Sequence, residues 1–128
     1  MTDNVKKVFE ENPWFIATFD DEPNVVPVGF KKVGDDGKFY IAAVLMETTL
    51  ANLKKNGKIA ISAVSGAESY QVKGTTECLT EGPMFDAFEQ LCLDTFKGAF
   101  HCKYAIAVTP EKLIVASPNG DNKKELEL

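Results

Sequence analysis

Residues Phe39 to Val64 constrain the fold of this chain more than any other stretch. They read FYIAAVL, then METTLANLKKNG, then KIAISAV. The outer pieces are short apolar runs bounded by Gly and Lys, the pattern of strands with a buried face. The middle piece reads as a short helix. Thr48 or Thr49 offers an N-cap hydroxyl, Leu50 and Leu53 share a face, lysines fill the last turn and Gly57 stops it. A strand feeding such a helix leaves backbone N–H groups free at the junction, at the positive end of the helix dipole. Two readings stand: the threonines are ordinary caps, the commoner case, or a phosphate docks at this corner.

The rest of the chain adds strands joined by turns. Asp3 to Asn12 is predicted helical, with Val5, Val8 and Phe9 on a narrow stripe and Pro13 as the stop. Trp14 to Phe19 is a strand, and Asp20 to Asn24 a turn by composition. Val25 to Val33 reads as one strand in which Pro27 marks an edge or bulge and Gly29 a close approach of backbone or ligand. Gly34 to Gly37 is a hairpin turn. After a second hairpin near Ser65 to Glu68, Ser69 to Thr80 is extended, with a bulge expected at Gly74. Met84 to Lys97 carries apolar residues at helical spacing. Tyr104 to Val108 and Leu113 to Ser117 are the last strands, with a tight turn expected at Thr109 to Lys112. About six or seven short strands with regular turn signals, plus about three helices, favour a mainly-β (α+β) antiparallel barrel over a doubly wound parallel sheet. The expected division is one domain over residues 1–118 followed by a polar tail, 119–128.

Bulk properties exclude several functions. The 128 residues carry 45% hydrophobic and 26% charged side chains, values of a globular domain. A net charge of −5 argues against a nucleic-acid or anionic-membrane surface. No apolar run approaches the roughly 20 residues that span a bilayer. The first residues, MTDNVKKVFEENP, lack the apolar core of a secretory leader. Three cysteines at wide spacing make no disulfide framework. The expectation is a cytoplasmic protein.

Few side chains suggest chemistry of their own. His101 lies beside Cys102, with Cys78 and Cys92 further back, but no CxxC or HxxxH spacing supports a metal centre. Adjacent strand residues face opposite ways, which disfavours a Cys–His nucleophilic pair. Asp20-Asp21-Glu22 and Asp35-Asp36 fall in turns and read as solvated loops. No GxGxxG or Walker sequence is present. No catalytic residue stands out.

The order of motifs resembles a known family. Pro27-Val28-Gly29-Phe30, the Gly34 to Gly37 hairpin, Phe39-Tyr40-Ile41 and Asn52-Leu53-Lys54-Lys55-Asn56 follow the pattern of the pyridoxamine 5′-phosphate oxidase-like FMN-binding split-barrel proteins. Val72 to Glu77, the helix after Gly82-Pro83 and the segment around Thr109-Pro110-Glu111 also sit where that family has them. The resemblance implies a six-stranded split barrel, a homodimer with FMN at its interface, an oxidoreductase or electron-carrier role, and a small-molecule or protein redox partner. It implies that Val28, Gly29, Phe30 and Lys31 line the isoalloxazine and that Thr48 and Thr49 meet the phosphate. Asn52 and Lys73 complete the implied cofactor-binding set. Members of the family usually carry Lys or Arg where this chain has Thr48, and Glu47 adds a negative charge beside it. Loss of one charged hydrogen bond costs about 1.5–3 kcal/mol. Lys31, Lys58 or Lys73 are the candidate substitutes. The alternatives are a split-barrel dimer without flavin serving as a binding or regulatory module, or one using a deazaflavin or haem.

Overall fold

The sheet begins and ends on strands that are neighbours in sequence. In this computed structural model, which describes residues 1–128, the strand order is β2-β1-β5-β6-β7-β4-β3, every pairing is antiparallel, and β8 adds to β7. Strands β2 (Pro23–Val28) and β3 (Lys31–Val33) therefore occupy opposite margins of the path, yet only Gly29 and Phe30 separate them. The sheet must curl to let so short a link join its ends. The result is a split half-barrel of mainly β structure with three helices. The single strand expected over Val25 to Val33 is thus two, because its halves pair with different neighbours: β2 with β1 (Trp14–Phe19), and β3 with β4 (Phe39–Ala43).

Helix α1 (Asp3–Glu11) forms because Thr2 caps it, its hydroxyl accepting from the Val5 N–H at 3.3 Å, and because Val5, Val8 and Phe9 bury together. It packs against β3, β5 (Lys58–Ser65) and β6 (Glu68–Leu79). Phe9 and Trp14, both fully buried, meet Phe39 in a shared core of 21 residues. Helix α3 (Pro83–Phe96) lies elsewhere, packing Phe88 and Cys92 onto Ala42, Cys102 and Ala105 of the β4–β7 side.

One turn expectation fails for an identifiable reason. Thr109 to Lys112 is not a hairpin turn: β7 (Tyr104–Val115) runs through it and pairs with β6 on both sides of Glu111. The expected bulge at Gly74 supplies the reason, since the register shifts at Lys73/Gly74 and leaves Glu111 without a partner between Pro110 and Lys112. Proline is tolerated at a bulge. A Cβ on Gly74 would lie 2.3 Å from the Thr109 carbonyl oxygen, so the two strands approach too closely for a side chain. At the C-terminus, the polar residues return to the sheet, where Glu125 and Leu126 form β8 against Ile114 and Leu113.

Two tyrosines make the fold sensitive to alkali. The Tyr70 phenol is pushed up to about 12, first by burial and then by its 2.6 Å hydrogen bond to Glu68. The Tyr40 phenol is likewise pushed up to about 12, chiefly by donating to Asp36 at 2.6 Å. The folded chain keeps both protons through the range in which the unfolded chain releases them. Their stabilisation is therefore whole below about pH 10 and is lost as pH rises toward about 12. Urea midpoints at pH 9 and pH 11.5 should differ, and Tyr70→Phe should shrink that difference. An unchanged difference in the variant would remove Tyr70 from the account.

Candidate functional site

Two adjoining clefts meet at Met46, between the end of β4 and helix α2 (Glu47–Asn56). The first is polar, about 300 Å³, and is lined by Asn24, Met46, Glu47, Thr48, Thr49 and Lys103 among others. The second is apolar, about 230 Å³, with Val28, Gly29, Phe30, Ala42 and Phe96 in its walls.

The polar cleft is built on the start of α2. Its N-cap is Met46, not Thr48 or Thr49, and no side chain caps it. The first amide to bond within the helix is that of Leu50, which donates to the Met46 carbonyl at 2.9 Å. The amides of Glu47, Thr48 and Thr49 are thus free at the positive end of the dipole. The expected hydroxyl cap fails because the helix starts earlier than expected and Thr49 turns inward. Thr49 is buried and its hydroxyl accepts from Asn24 Nδ2 at 3.2 Å. Thr48 is exposed, and Glu47 makes no hydrogen bond to the free amides. Gly57 ends the helix in the left-handed region, its N–H donating to the Leu53 carbonyl.

Lys103 was missed by sequence reasoning. The end of β4 pairs with the start of β7, Ala43 opposite Tyr104, and the Lys103 N–H donates to the Ala43 carbonyl at 2.9 Å. That pairing carries Lys103 to the β4–α2 corner, where its side chain makes no ion pair within the protein. No local pattern announces this, since only the β4–β7 register brings positions 48 and 103 together.

Other expected site residues have separate tasks. Lys31 Nζ donates to the carbonyls of Phe9 at 3.1 Å and Glu10 at 3.2 Å, closing the C-terminus of α1, and stands 5.1 Å from the Trp14 ring centroid. Burial lowers its ammonium pKa, against the raising effect of Glu10. Asn52 is buried and donates to the Thr18 hydroxyl at 3.0 Å, tying α2 to β1. Lys58 and Lys73 line a different groove. The structure brings Val28, Gly29 and Phe30 together beside the Thr48–Thr49 corner, with Met46 between, and leaves Lys31 and Lys73 outside both clefts. His101 binds Glu89 at 2.6 Å, and the second Glu89 oxygen accepts from the Cys102 N–H. This hydrogen bonding lowers the Glu89 pKa.

Residues 1–119 match the sequence family described as pyridoxamine 5′-phosphate oxidase. The chain belongs to that family. Solved structures of similar fold include HupZ of Group A Streptococcus, with 24% identity, a TM-score of 0.78, and 94% of this chain and 98% of that one covered. An FMN-binding protein from Syntrophomonas wolfei subsp. wolfei shares 20% identity at a TM-score of 0.76, covering 89% of this chain and 84% of its own. An F420 reductase shares 16% at 0.66, covering 88% and 98%. No curated protein matches the sequence. No helix is long and apolar enough to cross a membrane.

The residues present suit a flat phosphorylated cofactor of the kind this family resemblance implies. Three free amides and one unpaired ammonium face the polar cleft and complement a phosphate. Strand β2 is a margin of the sheet, so one edge of its backbone has no strand partner and can meet ring heteroatoms. Gly29 has no atom within 4 Å of where a Cβ would stand, which leaves its face open.

Proposed function

We propose that this member of the pyridoxamine 5′-phosphate oxidase family binds FMN and serves as a cytoplasmic flavin-dependent oxidoreductase or electron carrier. The observation that carries this reading is the uncapped first turn of α2, faced by Lys103 and continuous through Met46 with an apolar cleft along Val28 to Phe30. Thr48, Thr49 and Lys103 hold the phosphate; Val28, Gly29 and Phe30 take the ring. Bound flavin supplies the redox chemistry, while the chain orients it and keeps water from one face. No side chain of the chain is assigned a catalytic role.

A second copy completes the site. The clefts of one chain are small and open, at or below the low end for cofactor pockets. On the outer sheet face, Phe15, Phe19 and Val25 are 46%, 47% and 65% exposed, an apolar surface suited to a homodimer.

Titration of the purified protein with FMN, followed by desalting, tests the reading. Flavin absorbance should stay with the protein. A chain that retains none and shows no FMN affinity would overturn it. In the Thr48→Lys variant, a second cation at the free amides should tighten FMN binding about 10-fold, the lower end for a charge-assisted hydrogen bond. Fluorescence quenching of FMN measures the change.

A further inference from the structure

A cavity of about 670 Å³ opens where the β5–β6 hairpin meets the start of α1 and the chain beyond β7. It lies on the interior side of the sheet. Phe15 stands opposite Ser62, and Ser62 opposite Gln71, so these three share the outer face given above to a second copy. Tyr70, one residue along the strand, points to the other face, where it joins Val5 and Val115 in the main core. Those three residues, with Leu126 of β8, are apolar lining of the cavity. Phe15, Phe19 and Val25 are not in its walls, and it shares no residue with the two clefts that meet at Met46.

The polar wall comes from the segment expected as a tail. Asn122 Nδ2 donates to the Ser117 carbonyl at 2.9 Å, the Lys123 N–H to the Val115 carbonyl at 2.8 Å and the Lys124 N–H to the Asp121 carbonyl at 2.9 Å. Ser117 is buried and ties the segment to β6, its hydroxyl accepting from the Ser69 N–H at 2.9 Å. Lys123 takes a φ of 74°, a left-handed conformation uncommon outside glycine. This bonded turn fixes the backbone that presents Asp121 and Lys124 to the cavity.

Charges of both signs line the cavity without neutralising one another. Glu68 Oε2 accepts from Asn4 Nδ2 and from the Tyr70 hydroxyl, each at 2.6 Å, so its partners are neutral donors. The ion pairs of the protein are Lys6–Glu10 and His101–Glu89, and Glu68, Asp121 and Lys124 enter neither. We propose that this cavity binds a short zwitterionic peptide of about dipeptide size, its ammonium end at Glu68 and Asp121, its carboxylate end at Lys124, and its apolar side chains on Val5, Tyr70, Val115 and Leu126. Unpaired charges on separate segments suit a molecule that carries its own at two ends, and the volume is that of a small-molecule site. The site is independent of the flavin reading.

The probe is L-leucyl-L-leucine, titrated into the full-length protein by calorimetry. Its N-acetyl form lacks the cation, its C-terminal amide lacks the anion, and glycylglycine lacks the apolar body. Saturable binding of one probe per chain is expected, with each control weaker by about 10-fold or more, the scale of one charged hydrogen bond or of a buried aliphatic side chain. Asp121→Asn should weaken the dipeptide and leave the N-acetyl form unchanged. Lys124→Gln should weaken the dipeptide and leave the amide unchanged. Such crossed losses report pairing of specific charges, and a folding defect would weaken every ligand alike. Excess FMN should not displace the probe. Absence of saturable binding overturns the proposal, as do equal affinities for the dipeptide and its blocked forms, variants that bind like the parent, or displacement by FMN.

Discussion

Replacing Lys103 with alanine should weaken FMN binding about 10- to 100-fold, the loss of one charge-assisted hydrogen bond to a dianion. The expectation rests on the position of Lys103 as the cation in the wall of the α2 cleft, held there by its backbone bond to Ala43. The three free amides of α2 remain in the variant, so binding should persist at reduced strength. Lys103→Arg should recover most of it, and added salt should erase much of the difference between parent and variant. Equilibrium titration at two ionic strengths measures both effects. Equal affinity in parent and Lys103→Ala would mean that the amides alone hold the phosphate. Lys103 is exposed and forms no ion pair, so the fold should be unaffected.

Phe9→Ala should cost about 3–5 kcal/mol of stability, the range for removing a buried aromatic side chain. Phe9 is fully buried, with ring centroids of Trp14, Phe39 and Tyr70 at 6.1, 5.0 and 6.5 Å. Its carbonyl also accepts from Trp14 Nε1 at 2.6 Å and from Lys31 Nζ. The one residue therefore anchors α1 to β1, β3, β4 and β6. Truncation leaves a cavity that four strands cannot all close upon. Chemical denaturation gives the value directly; a loss below about 1 kcal/mol, the size of an ordinary surface change, would show that α1 adds little to the barrel.

The legible parts of this fold were those encoded by local period and punctuation. The stripe of Val5, Val8 and Phe9, the Gly57 stop and the Phe39 to Val64 unit each follow from spacing alone, and each appears in the structure. Gly74 was legible as a bulge, but its effect on Pro110 was not. A proline between two apolar runs looks like a turn unless the bulge across the ladder is known to absorb it. The division of Val25 to Val33 also escaped local reading, because nothing in VVPVGFKKV says that its halves belong to opposite margins of one sheet. At the site, the α2 corner could be found from a helix start alone. Lys103 could not, since its place is fixed by pairing across the whole chain. Lys31 shows the reverse: its sequence neighbours are ring-lining candidates, yet its ammonium is claimed by the carbonyls that end α1.

The short tie of Gly29 and Phe30 across the seam links occupancy to the integrity of the whole shell. A ligand that touches both the Val28 backbone and the first turn of α2 acts as a clasp, and its binding free energy adds to folding by mass action. Amide exchange in β2 and β3 should slow as such a ligand saturates. Scarcity of the ligand then becomes a shorter lifetime, because the empty shell is the form that opens and meets a protease first.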